Sequence, residues 1–136
     1  DGDAALAESL LAWMQDTGAD FTNTFRLLSD DEATQAMATA DAAFREWRGR
    51  WQMRRALQPQ PAHESIALMR RRNPAVIPRN HKVEDALAAA TDAADLRPLE
   101  RLLAALSAPY DYATASTDLS TPAAPDAIPY RTFCGT

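Results

Sequence analysis

The chain has 136 residues, 14 basic and 19 acidic side chains, and a net charge of −5, the size of one domain. No run of about 18 apolar residues occurs, so a membrane span is not expected; Asp1-Gly2-Asp3 offers neither a basic n-region nor an apolar h-region, so no signal peptide is expected. The one cysteine, Cys134, excludes an internal disulfide, which fits a reducing, cytoplasmic compartment or a partner thiol elsewhere.

A helical period recurs along the chain and no stretch alternates like a strand. Leu6, Leu10, Trp13 and Met14 share one face of a first helix, with Asp3 in its opening turn and Gly18 as its stop. Phe21, Phe25 and Leu28 share a face in a short segment after it. Ser29 or Asp30 is then placed to cap a long helix with Glu32 in its first turn. Its stripe is Ala33, Met37, Ala40, Phe44, Trp47 and Trp51, and Gln58-Pro59-Gln60-Pro61 ends it. Another helix spans Ala62 to Arg72, with Ile66 and Met69 inward. Each proline of Asn73-Pro74-Ala75-Val76-Ile77-Pro78 pushes its predecessor out of the helical region, so this run is extended. Asn80 is placed to cap a helix aligning Val83, Leu87 and Ala90; Asp95 is placed to cap the last, with Leu99, Leu102, Leu103 and Leu106 inward. Pro109 closes the regular part, and Ala113 to Pro129 reads as a mobile Ala/Ser/Thr/Pro tail. The expectation is an all-α chain of about six helices, a helical region over 1–110 and a flexible tail over 111–136 that ends in the Cys134 segment.

The apolar fraction is 46%, but it includes 29 alanines and only 23 Leu, Ile, Val and Phe residues. Those 23 are about 17% of the chain, below the roughly 20% that accompanies a well-filled core. Alanine favours helix yet buries little area. The core is therefore expected to be lean, with apolar faces left over for a neighbour, and the opening without Met suggests a cut piece of a longer chain. Charge is segregated as well. Residues 1–44 carry nine acids and one base, residues 45–82 ten bases and two acids, and residues 83–136 eight acids and three bases. Such asymmetry points to a basic patch facing a polyanion or an acidic protein surface.

On a helical wheel Arg48, Arg54 and Arg55 flank the aromatic stripe rather than oppose it, and Arg70, Arg71 and Arg72 end the next helix. These six form the candidate basic interaction surface. One reading puts Arg on phosphates and Trp against bases, a stand-alone helical module for nucleic acid or an acidic protein. The reading preferred here is core aromatics covered by arginine stems that also complement the helix C-terminal dipole, since no nucleic-acid motif accompanies the charge. Neither His63 nor His81 has a second His or a Cys at i+3 or i+4, so that metal spacing is absent, and Glu84-Asp85 after His81 is read as a helix-dipole match rather than acid–base machinery. Four scattered glycines make no phosphate loop, Lys82 sits in no P-loop, and no serine lies in an elbow motif. No catalytic, metal-binding or cofactor-binding residue is therefore assigned to this chain. Cys134 is a candidate redox handle or an idle terminal thiol, and the sequence leaves both open.

Three segments in series carry a resemblance: Ala19-Asp20-Phe21-Thr22-Asn23-Thr24-Phe25-Arg26, Asn73-Pro74-Ala75-Val76-Ile77-Pro78-Arg79-Asn80-His81, and Tyr130-Arg131-Thr132-Phe133-Cys134-Gly135-Thr136. With Pro109-Tyr110-Asp111 between the last two, they resemble the C-terminal end of the selenoprotein O family, over most of the chain except Ala113–Ile128. The resemblance implies the end of the C-lobe of a protein-kinase-like fold, in a bacterial enzyme that uses ATP with magnesium or manganese to transfer AMP to hydroxyls of protein substrates. It also implies that the nucleotide, the metals and the catalytic residues belong to an upstream region, on which these helices pack as partners. Cys134 matches the position where that family places a redox-active selenocysteine or cysteine. Position 131 is Arg131, so a local Cys-x-x-Cys dithiol is impossible, and a redox partner of Cys134 is expected upstream or in another molecule.

Overall fold

In the computed structural model, which describes residues 2–113 and 115–124, the chain is all-α: α1 Gly2–Thr17, α2 Phe21–Leu27, α3 Asp31–Ala40, α4 Ala42–Ala56, α5 Ala62–Arg72, α6 Asn80–Ala93, α7 Arg97–Ser107 and α8 Thr117–Ser120. These are eight helices among the described residues, against the six or so expected. They form two compact units, 1–74 and 75–136.

The first extra helix arises because the long helix expected from Ser29 to Gln58 is two helices. Asp41 is extended (φ −127°, ψ 119°); it ends α3 and caps α4 by accepting from the Phe44 N–H at 2.8 Å. Asp20 and Asp30 cap α2 and α3 in the same way, accepting from the Asn23 and Ala33 N–H groups at 2.8 and 2.9 Å. An aspartate offers the backbone this alternative to the helical ladder, which is why it starts helices better than it continues them. The break also shifts the phase of the stripe. Ala40 is exposed, and Thr34 and Ala38 are the buried positions of α3. Gly18 takes φ +68° and Ala19 N–H bonds back to the Met14 carbonyl at 2.9 Å, the left-handed stop expected after α1.

The core of the first unit is Leu10, Trp13, Met14, Leu28, Ala38, Phe44 and Trp47. Phe44 is wholly buried, its ring 4.9 Å from that of Trp13 and 5.5 Å from that of Trp47, which in turn stacks on Trp51 at 5.6 Å. Both buried indoles find acceptors, as they must. Trp13 Nε1 donates to Asp41 Oδ2 at 3.1 Å, and Trp47 Nε1 donates to the Leu6 carbonyl at 2.9 Å. Asp41 thus joins α1 to the start of α4 with one carboxylate.

In the second unit the run before α6 is extended, as its prolines require. Ala75 and Val76 N–H donate to the Pro109 carbonyl at 2.7 and 3.3 Å, tying that run to the end of α7. α6 is capped at Arg79, not Asn80, and ends at Ala94 in the left-handed region (φ 52°). The last long helix starts after Leu96; Asp95 stands just outside it and accepts from the Arg97 N–H at 3.1 Å. The core is Val76, Ala86, Leu102 and Leu119, with Val83, Leu99 and Leu106 packed against it. Two residues expected inward, Leu87 and Leu103, are 45% and 58% exposed. Within the stretch expected to be mobile, α8 is ordered and buries Leu119 and Ser120, with Leu119 as its apolar anchor in the core of this unit. No helix of the described residues is long and apolar enough to cross a membrane.

Candidate functional site

The basic surface lies on α4 and α5, where helical spacing places Arg48, Arg54 and Arg55 beside the aromatic stripe. Most of these guanidiniums are engaged within the unit. Arg54 grips Asp3 with two parallel bonds, Nε to Oδ1 at 2.5 Å and Nη2 to Oδ2 at 3.0 Å. The Arg54 guanidinium holds the Asp3 carboxyl below the usual carboxylate range, and Asp3 in turn raises Arg54. Arg55 lies 4.6 Å from the centre of the Trp51 ring, a cation–π stack, with Asp31 at 3.7 Å. Arg48 donates to Gln35 Oε1 at 2.7 Å, and its Nε is buried with no acceptor. Arg70 Nε donates to the buried Ser29 carbonyl at 3.2 Å. Arg71 and Arg72 are exposed at the end of α5. The arginine stems therefore cover the aromatic core while their heads meet acids and carbonyls from residues 3–35. Residues 1–74 hold eleven acids and nine bases, so charges segregated along the chain come together in one unit.

Three open grooves surround this surface. One of about 550 Å³ is polar, lined by Asp31, Arg48, Gln52, Arg55, Gln60 and Ser65. A second, of about 500 Å³, runs along Trp51, Arg55, His63, Leu68 and Arg71. The third, about 280 Å³, is apolar, with Leu6, Leu11, Phe25 and Trp47 as walls and the Asp3–Arg54 pair at its rim. His63 lines the second groove. His81 lies in the first turn of α6, and Glu84 and Asp85 are exposed on the turn after it. Among the described residues no group of three or more His, Cys, Asp or Glu is placed to hold a metal ion. Cys134 and Arg131 lie outside the described residues.

A second charged cluster, which sequence reasoning did not single out, sits at α8. Asp118 accepts from Lys82 Nζ at 2.9 Å through Oδ1 and from Arg101 Nη2 at 3.0 Å through Oδ2. Arg101 also donates to Ser116 Oγ at 3.0 Å, and Arg79 Nη2 to the Ser120 carbonyl at 3.2 Å. Lys82 first, and Arg101 after it, hold the Asp118 carboxyl below its ordinary range. The partners are 36 and 17 residues from Asp118 in the chain, so no local spacing announces the cluster. Two of the segments that carry the resemblance meet within the same unit, since the Pro109 carbonyl receives the Ala75 and Val76 N–H groups.

No family model and no solved structure matches the chain. Curated relatives do. The chain is 47% identical over 136 residues to the protein nucleotidyltransferase YdiU of Geobacillus kaustophilus, 45% over 136 residues to that of Syntrophotalea carbinolica, and 44% over 134 residues to that of Bacillus mycoides. These matches take in 98–100% of the chain but only 28% of the length of each relative. Over its whole length the chain is thus similar to a part of the protein nucleotidyltransferases YdiU, the selenoprotein O family, and it matches them as a C-terminal region.

Proposed function

We propose that the chain is the C-terminal helical region of an ATP-dependent enzyme that transfers AMP to Ser, Thr or Tyr hydroxyls of other proteins. The observation that carries this reading is sequence identity of 44–47%, sustained over the whole chain, with proteins named protein nucleotidyltransferase. ATP and its magnesium or manganese are assigned to the preceding region of the same protein, where the resemblance to the selenoprotein O family places them. No step of the transfer is therefore derived on these helices. Their task in this reading is structural: to complete the C-terminal side of a kinase-like lobe, to shape a surface for the protein substrate, and to place Cys134 for redox regulation.

The experiment is transfer from ATP labelled at the α-phosphate by the full-length protein, with magnesium or manganese, to bacterial cytoplasmic proteins. Label on protein from the α position and none from the γ position is the expected result. Transfer from the γ position, or none at all, refutes the reading. Oxidised full-length protein digested without reductant tests the thiol: a disulfide from Cys134 to an upstream or intermolecular cysteine is expected, and an unpaired Cys134 rules that role out.

A further inference from the structure

The tryptophans narrow the kind of partner that the basic face can take. Trp13 and Trp47 are buried, and Trp51 is engaged by the Trp47 ring at 5.6 Å and by the Arg55 guanidinium at 4.6 Å. These rings serve the unit itself, whereas single-stranded nucleic acid binds by stacking its bases on open ones. The unit also holds eleven acids against nine bases, a balance that disfavours a long polyanion. What positive charge is left over is local. Arg48, Gln52 and Arg55 lie on one face of α4, and with Gln58, Gln60 and Ser65 they line the polar groove. Arg54, beside them, is matched by Asp3. Arg48 instead donates to Gln35, a neutral group, and no carboxylate among the described residues pairs with it. Arg55 has Asp31 at 3.7 Å, a carboxylate whose side chain is 61% exposed. The groove therefore holds two guanidiniums for one loosely placed carboxylate.

The Arg55 side chain is only 17% exposed, and its stack on Trp51 holds the head in place before any ligand arrives. A guanidinium so held suits a carboxylate, which accepts from its forked N–H groups. The carboxamides of Gln52, Gln58 and Gln60 carry donors and acceptors together, the complement of peptide C=O and N–H groups. We propose that this groove binds a short acidic segment of the protein substrate, with a Glu or Asp carboxylate taken by Arg48 and Arg55 and the segment's backbone by the glutamines. That the segment belongs to a substrate rests on the reading of the parent protein as a protein-modifying enzyme; the binding itself rests on the groove.

Fluorescence anisotropy of a labelled peptide alternating Glu and Gly, titrated with the full-length protein without ATP, tests it; the matching Gln–Gly peptide and single-stranded DNA are the comparators. The Glu peptide is expected to bind about ten-fold tighter than the Gln peptide, the worth of a charge-assisted pair. Arg48→Gln is expected to remove most of that difference at unchanged Tm. Arg72→Gln, which deletes the same charge outside the groove, is expected to leave it intact. Should Arg48→Gln lower Tm, the two peptides on the wild type still decide. Equal affinity for both peptides overturns the proposal, as does equal weakening by the two substitutions or tighter binding of the DNA. So does no binding at all, which would mean that the preceding region covers the groove. If the Glu peptide binds through Arg48 but no label passes from ATP, the groove stands and the proposed activity falls. If label passes while both peptides bind alike, the activity stands and the groove falls.

Discussion

Asp41 shows how one side chain sets the path of the backbone. Its Oδ1 takes the Phe44 N–H and its Oδ2 the Trp13 indole N–H. Those two donors, the Phe44 amide first, hold its carboxyl below the ordinary range. The stabilisation is therefore complete above about pH 4 and is lost as pH falls through the lowered folded-state value. Asp41→Asn keeps a capping oxygen but removes the charge. Acid unfolding followed by tryptophan fluorescence should be shallower below pH 4 in that variant, and an unchanged profile contradicts the assignment. Phe44 makes the opposite kind of contribution, bulk without polarity. Phe44→Ala leaves a cavity between two indoles and should cost about 3–5 kcal/mol in denaturant unfolding; a loss under about 1 kcal/mol would mean that the neighbouring rings collapse into the space.

At the scale of helices, ends matter more than middles. α1 and α6 both stop at a left-handed residue, Gly18 at φ +68° and Ala94 at φ 52°. The left-handed region penalises a Cβ, so the two positions should respond in opposite directions. Gly18→Ala is expected to lower stability by about 1 kcal/mol and Ala94→Gly to raise it by a similar amount. Chemical denaturation of the two variants side by side checks the pair, and shifts of the same sign would refute it. α8 depends on charge rather than on length. Four residues cannot hold a helix alone, and its anchors are Leu119 together with Asp118 between Lys82 and Arg101. With a depressed carboxyl, the Asp118 contribution is present above about pH 4 and declines as pH falls below it. It is also screened by salt. Asp118→Asn, or high salt on the wild type, should speed proteolytic cleavage near residues 113–124, and equal cleavage rates would show that Leu119 alone retains the helix.

For the molecule as a whole, the two units differ in what fills them. The first has three interlocked aromatic rings at its centre, with both indole N–H groups bonded to an aspartate or a carbonyl. The second holds one valine, one alanine and two leucines. Area removed from water sets the stability of each. Amides in the middle of α6 and α7 should therefore exchange with solvent deuterium faster than those in α4, and the reverse order would be incompatible with this ranking.

Much of this was written in the residues themselves. The 3.6-residue spacing of Leu6, Leu10 and Trp13, the stop at Gly18, the prolines of 74–78 and the stripe Phe44, Trp47 and Trp51 are local signals, and local sterics and periodicity suffice to read them. So does the likeness to the selenoprotein O family, which whole-chain identity to its relatives bears out. Other features required the fold. Nothing near Asp41 in sequence says that Trp13 will need an acceptor there, so the break between α3 and α4 goes unseen along the chain. Nor does periodicity distinguish Leu102, which is buried, from Leu103, which is not; that depends on which flank of α7 meets Val76, Ala86 and Leu119. The arginines illustrate the same point, because local composition sets their charge whereas only tertiary packing turned most of them inward onto acids and carbonyls. Long-range partners are chosen by three-dimensional proximity, and a linear pattern carries no record of it.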